Sequence, residues 1–219
     1  MITYEEIKNN EEIKTYIRAA DASMISLGFT EHSFAHVVRC ADVAGSILTK
    51  LGYDQRTVEL GKIAAYMHDI GNVINRIDHA QSGAVMAFRI LDKLGMKPEE
   101  IAKIVCAIGN HDEGTAYPVN ELAAALILAD KSDVRRSRVR DKMTVKFDIH
   151  DRVNYAVEKS RLSVDTEAKM ATLSLTIDEN VSQIAEYFEI FMSRMMLCRR
   201  AAAFFDLGFE ININGRRVM

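Results

Sequence analysis

Between about residue 33 and residue 131, apolar residues recur every three or four positions, in five runs separated by glycine or proline. After about residue 155 that period gives way to strict alternation. No other feature restricts the fold as much. Successive amphipathic helices must bury their stripes against one another, which predicts a helical bundle. Leu173, Leu175 and Ile177 alternate with Thr172, Ser174 and Thr176, which predicts a strand, and Leu162 and Val164 supply its hairpin partner. A long helix then carries Val181, Ile184, Phe188, Phe191, Met195, Cys198, Ala202 and Phe205 in one three-four pattern, and a last strand begins after Gly208 in FEINING. The expected architecture is mainly α. A helical bundle occupies residues 1–150, and a small α+β (ββαβ) appendage occupies residues 151–219, with a dimerisation or regulatory role open to it.

The individual helices follow from stripes and end signals. The first covers 33–51, with Val37, Ala41, Ala44, Leu48 and Leu51 inward and Gly52 as its stop. The second runs over 55–70, from Asp54 as N-cap to Gly71 as C-terminal glycine. The third covers 79–94, with Val85, Phe88, Leu91 and Leu94 inward and Gly95 closing it. Pro98 opens the fourth, with Glu99 and Glu100 at the positive end of its dipole and Ile101, Ile104, Val105 and Ile108 as its core face. The fifth runs from about 119 past Asp130.

Charge and cysteine content narrow the function. Lysine and arginine total 28 against 31 aspartate and glutamate, so the net charge of −3 offers no bulk attraction to nucleic acid or to an anionic membrane. No window holds 18 consecutive apolar residues, and the polar start MITYEEIKNNEEIK is not a signal peptide. Cys40, Cys106 and Cys198 are scattered within helical runs, as reduced thiols of a cytoplasmic protein would be.

Against that ordinary background, the stretch AAYMHDIGNVINRIDHA sets His68 and Asp69 at the end of an apolar helix. A carboxylate there costs several kcal/mol (roughly) unless something pairs with it. His36 shares a stripe with Cys40, Val43 and Ile47. His79 begins the third helix, His111 follows the fourth, and Asp130 lies in line with Ala123, Leu126 and Ile127. Each alone has a structural explanation, as a satisfied core histidine, a cap or an ion-pair member. Jointly, imidazoles and carboxylates gathered at helix ends of one bundle suit a divalent first-row metal.

The ordered set His36, His68-Asp69, His79, His111 and Asp130, in the context GFTEHSFAHVVRCADVAGSIL, AAYMHDIGNVINRIDHAQSG and ILADKSDVRRS, resembles the HD-domain metal-dependent phosphohydrolase superfamily over residues 28–140. The resemblance implies an all-helical bundle with one or two divalent ions (Mn, Fe, Mg, Zn or similar). His36, His68, Asp69 and Asp130 would hold one ion. His79 and His111 would hold a second, with Asp69 bridging. It implies hydrolysis of a phosphoester or phosphoanhydride in a small, nucleotide-like substrate by metal-activated water, with Asp69 and His68 in the catalytic role. His32, Arg76, Lys131 and Arg135 are candidate substrate contacts, although charged runs such as VRRSRVR are usually solvated helix faces. The segment NHDEGTAYP is similar to the cyclic-dinucleotide-degrading HD-GYP branch but departs from it at Asn110 and Ala116. The resemblance also leaves open a non-catalytic nucleotide- or partner-binding module and a di-iron oxygenase.

Overall fold

The computed structural model describes residues 1–141 and 143–219. Two helices precede the five expected ones. α1 (Tyr4–Asn9) opens on a capping box in which Thr3 and Glu6 satisfy each other's backbone N–H groups. α2 (Glu11–Ser26) opens on Asn10, whose side chain accepts from the Ile13 N–H at 3.1 Å. The polar opening of the chain therefore folds, with Tyr4, Ile7, Ile13 and Ile17 as its buried stripe.

α3 (Phe34–Lys50), α4 (Gln55–Met67), α5 (His79–Lys93), α6 (Pro98–Gly109) and α7 (Glu121–Lys131) follow, each within a turn of its expected bounds. Asp54 caps α4 by accepting from the Thr57 N–H at 3.0 Å, and Pro98 is the first residue of α6. α7 is buried on all sides from Leu122 to Ala129. A helix that is apolar all round belongs at the centre of a bundle, and α3, α4, α6 and, from the C-terminal part, α9 (Ile184–Phe204) pack around it.

Two expectations about packing fail. Val85 and Phe88 are not inward but 68% and 53% exposed. The buried face of α5 is instead Ala80, Gly83, Ala87, Ile90 and Leu91. α5 crosses the 3₁₀ turn Ile70–Val73 at backbone contact distance, and only small side chains fit between them. Gly71 is likewise not a left-handed helix stop. It lies inside that turn, where a Cβ would overlap the His79 carbonyl oxygen and the Gly83 nitrogen.

The C-terminal part is α8 (Ile149–Ala156), β1 (Val157–Asp165), β2 (Met170–Ile177), α9, β3 (Gly208–Ile213) and β4 (Arg216–Arg217). The sheet order is β1-β2-β3-β4, antiparallel except for β2 and β3. A parallel pair needs a crossover, and α9 provides it. Leu173 lies opposite Leu162 and Ile211, and Leu175 opposite Ile213, so the alternation seen in the sequence is the buried face of the sheet. α9 packs on the sheet and on α7, and one continuous apolar core joins the bundle to the appendage. Among the described residues, no helix is long and apolar enough to cross a membrane.

Candidate metal centre

His36 from α3, His68 and Asp69 after α4, His79 at the start of α5, His111 after α6 and Asp130 in the last turn of α7 meet at one end of the bundle. All but Asp130 are at most 5% exposed, and the Asp130 side chain is 12% exposed. Both carboxylates sit at helix C-termini, where the backbone already presents negative charge. That arrangement calls for a cation.

The orientation of each ring comes from its Nδ1. His68 donates to Ala65 O at 2.7 Å, His79 to Arg76 O at 2.9 Å and His111 to Ile108 O at 2.6 Å. A carbonyl oxygen can only accept, so the ring proton of the neutral form is on Nδ1 and the Nε2 lone pair faces the cluster. His36 Nδ1 donates to Asp133 Oδ2 at 2.8 Å, with the same result. His36 Nε2 then lies 3.6 Å from Asp69 Oδ2 and 3.3 Å from Asp130 Oδ1. His68 Nε2 lies 3.3 Å from Asp69 Oδ2 and 3.8 Å from Asp130 Oδ1. His68 Nε2 and Asp69 Oδ2 are both buried and without a hydrogen-bond partner. Such orphans are rare and need an account. These donor atoms fit a divalent ion, and two donor groups here, His36–Cys40–His68–Asp130 and His68–Asp69–His111, each lie within metal-binding reach. Cys40 joins the first by position, and in the metal-free protein burial pushes its thiol pKa well up.

The electrostatics agree. Burial would raise the Asp69 and Asp130 pKa values, yet His68 beside the first, and Lys131 and His36 beside the second, hold both well below the carboxylate range. Burial keeps His79 below the usual imidazole value and His111 well below it. At His68 burial pulls down, but Asp69 and Asp130 prevail and raise it. Charged carboxylates beside imidazoles that resist protonation are the states in which these groups can hold a cation. The pH consequence has a definite sign for the metal-free protein. Groups with depressed folded pKa values stabilise fully above their unfolded values and lose that contribution as pH falls. His79 and His111 run that way, while His68 alone, with its raised value, contributes below its unfolded value. The thermal midpoint should drop as pH is lowered below about 6.5. Loading with metal should steepen the drop, because protons and metal compete for the same nitrogens. Differential scanning fluorimetry across pH, with and without metal, checks this.

Asp133, which the sequence reading passed over, is the carboxylate behind His36. Burial would raise its pKa, but His36 and the neighbouring arginines hold it far below the carboxylate range. Arg135 Nε donates to its Oδ1 at 2.9 Å, Arg39 forms an ion pair with the same oxygen at 2.9 Å, and Arg138 Nη1 donates to its main-chain oxygen at 2.8 Å. Its signal in the sequence was spacing alone: it follows Asp130 by three residues. Carboxylates that orient a ligating histidine typically matter about 10- to 100-fold in metal affinity. Asp133→Asn should therefore weaken metal binding by about that factor while the fold persists, as metal titration would show.

A cavity of about 300 Å³ opens over the cluster. His32, Arg76 and Lys131, three of the candidate substrate contacts, line it. Arg135 does not. It is held by Asp133 and, at 3.1 Å, by Glu31, and Arg138 takes the place on the wall expected of it. His32 Nδ1 donates to Thr30 O at 2.7 Å, and its ring meets that of His36 edge-on at 5.7 Å. Lys131, 5% exposed, places Nζ 2.7 Å from Asp130 Oδ2 and so leaves Oδ1 to face the histidines. The segment Leu27–Thr30 after α2 supplies one side of the wall, and the C-terminal part supplies another, including His150 from α8 and Phe191 and Arg194 from α9. Arg194 stacks on Phe191 at 4.5 Å and donates to Glu113 Oε1 at 2.5 Å, which lies 3.9 Å from Lys131 Nζ. None of these was identifiable beforehand, since His150 sits in a polar segment and α9 reads as plain core.

Residues 33–143 match the family model of the HD domain. An uncharacterized protein of Methanocaldococcus jannaschii is 26% identical over 207 residues, covering 84% of this chain and 80% of its own. A crystal structure of a predicted HD superfamily hydrolase from an uncultured Thermotogales bacterium shares 26% identity. It covers 57% of this chain and 67% of that one, with a TM-score of 0.45. The matched span takes in just over half of the 219 residues and includes His36, His68, Asp69, His79, His111 and Asp130, so the chain belongs to the HD-domain family.

Proposed function

We propose that this protein is a metal-dependent phosphohydrolase that cleaves a phosphoester or phosphoanhydride bond in a small, nucleotide-like substrate. The observation that carries the reading is the pair of buried, unpartnered acceptors, His68 Nε2 and Asp69 Oδ2, facing each other beneath an open cavity. His36, His68, Asp69 and Asp130 would hold the ion, and imidazole with carboxylate suits Mn, Fe or Zn better than Mg. A divalent ion there supplies Lewis acidity, which lowers the pKa of water and offsets charge on a phosphoryl group. Lys131 keeps Asp130 turned toward that position and, lining the cavity, offers its remaining N–H groups to phosphoryl oxygens. Arg194 lies on the same wall and adds hydrogen-bond donors, whereas His32, whose Nδ1 proton goes to Thr30 O, presents Nε2 as an acceptor. The three free thiols suit the reducing cytoplasm.

The test is metal analysis of the purified protein, then a screen of phosphomonoesters, cyclic nucleotides and dinucleotides after chelation and after metal is restored. Hydrolysis that disappears with chelation and returns with Mn supports the reading. Bound metal with no hydrolysis across the panel would instead indicate a binding module, and oxygen uptake by an iron-loaded, hydrolytically silent protein would indicate an oxygenase.

A further inference from the structure

The two sides of the cluster differ in a way that bears on how many ions it holds. On the His36–His68 side, His68 Nε2 and Asp69 Oδ2 have no donor. On the other side every acceptor but one has a donor from the chain itself. Asn72 Nδ2 donates to Asp69 Oδ1 at 2.9 Å. Arg76 Nη1 lies 3.3 Å from His79 Nε2, 3.2 Å from Asn72 Oδ1 and 4.0 Å from Asp69 Oδ1. His111 Nε2 lies 3.2 Å from His79 Nε2. With both Nδ1 protons given to carbonyl oxygens, two lone pairs face each other across that gap. They repel unless positive charge lies beside them, and the guanidinium of Arg76 does.

Arg76 is built into that place. Its carbonyl accepts from His79 Nδ1 while its guanidinium donates to Nε2 of the same ring, so one residue holds both ends of the imidazole. The guanidinium also lies over the Phe29 ring, 5.7 Å from its centroid. Ile74 and Ile77, on either side, are 64% and 75% exposed, and Asp78 takes the left-handed φ of 57° before α5 begins. A segment that leaves two isoleucines in water and strains one backbone residue keeps Arg76 directed inward.

We infer that Arg76 serves as the fixed cation of the second position, so that this chain binds one divalent ion tightly, between His36, His68, Asp69 and Asp130. The inference rests on the metal-dependent reading above. A second ion among His79, His111 and Asp69 meets the guanidinium charge within about 4 Å, and it lacks the His79 lone pair until Arg76 withdraws.

Full-length protein stripped by a chelator and titrated with Mn(II) decides the matter, read by calorimetric stoichiometry and by electron paramagnetic resonance. The wild type should take up one ion per chain, with any further uptake weaker by about 100-fold or more. Arg76→Gln should bind a second ion within about tenfold of the first and show the spin-coupled signal of a metal pair. Arg76→Lys, which keeps the charge, should stay at one. Two ions of similar affinity in the wild type, or a single ion in folded Arg76→Gln, overturns the inference and leaves the metal-dependent reading standing. No Mn uptake by the wild type removes the metal centre, and both ideas with it. The wild-type count needs no variant, so the inference stays testable even if Arg76→Gln misfolds.

Discussion

Asp69→Asn should lose bound metal and hydrolysis together, with metal affinity falling on the order of 10²- to 10³-fold. The side chain is nearly isosteric, and its oxygen can still accept from Asn72, so the loop after α4 should keep its shape. What disappears is the negative charge between His36 Nε2 at 3.6 Å and His68 Nε2 at 3.3 Å. Removing one member of a buried charged set costs about 3–5 kcal/mol, because the partners stay desolvated without it. In this site the proposed partner is the ion. Metal content after gel filtration and the hydrolysis rate should therefore fall in parallel, with the circular dichroism spectrum unchanged. A variant that is metal-free and fully active would remove the proposed chemistry.

Gly71→Ala should produce the largest loss of stability of any single methyl added to the bundle. The new Cβ would fall on the His79 carbonyl oxygen and the Gly83 nitrogen, both backbone atoms in the first turns of α5. Neither can rotate away, unlike the lysine or leucine side-chain tips that a Cβ at Gly45 or Gly61 would meet. Overpacking of a tight interior costs about 1–3 kcal/mol and sometimes more. With rigid atoms on one side, the upper end of that range applies. For a chain of this length it corresponds to a fall of about 6–12 °C in the thermal midpoint. Because α5 carries His79 at its first residue, any shift that relieves the clash also moves a member of the cluster. Thermal unfolding measures the first effect, and metal titration of the variant measures the second.

Much of the bundle could be read directly, because the signals involved are local. Asp54 caps its own helix three residues on, Pro98 starts its own first turn, and Leu173 alternates with its immediate neighbours. Where reading failed, local signals pointed both ways. Val85 and Phe88 form a plausible apolar stripe on α5, and a periodicity argument prefers them to alanine and glycine. The close crossing of α5 over the 3₁₀ turn reverses that preference, since contact between backbones excludes bulky side chains. The candidate ligands were readable as residue types at helix ends. The partners that govern it were not.

The chain's own order of residues was enough to establish the helices, the alternating strands and the placing of histidine and aspartate at helix ends, since each depends on residues a few positions apart. Folding in three dimensions decided which ring nitrogen is bare, that Asp133 stands behind His36 across 97 positions, and that α9 closes the cavity wall with Arg194. It also turned Arg135 away from the cavity and Arg76 into the cluster. A charged side chain settles wherever its burial is best compensated, and that compensation comes from groups brought near by packing, with no mark in the neighbouring sequence.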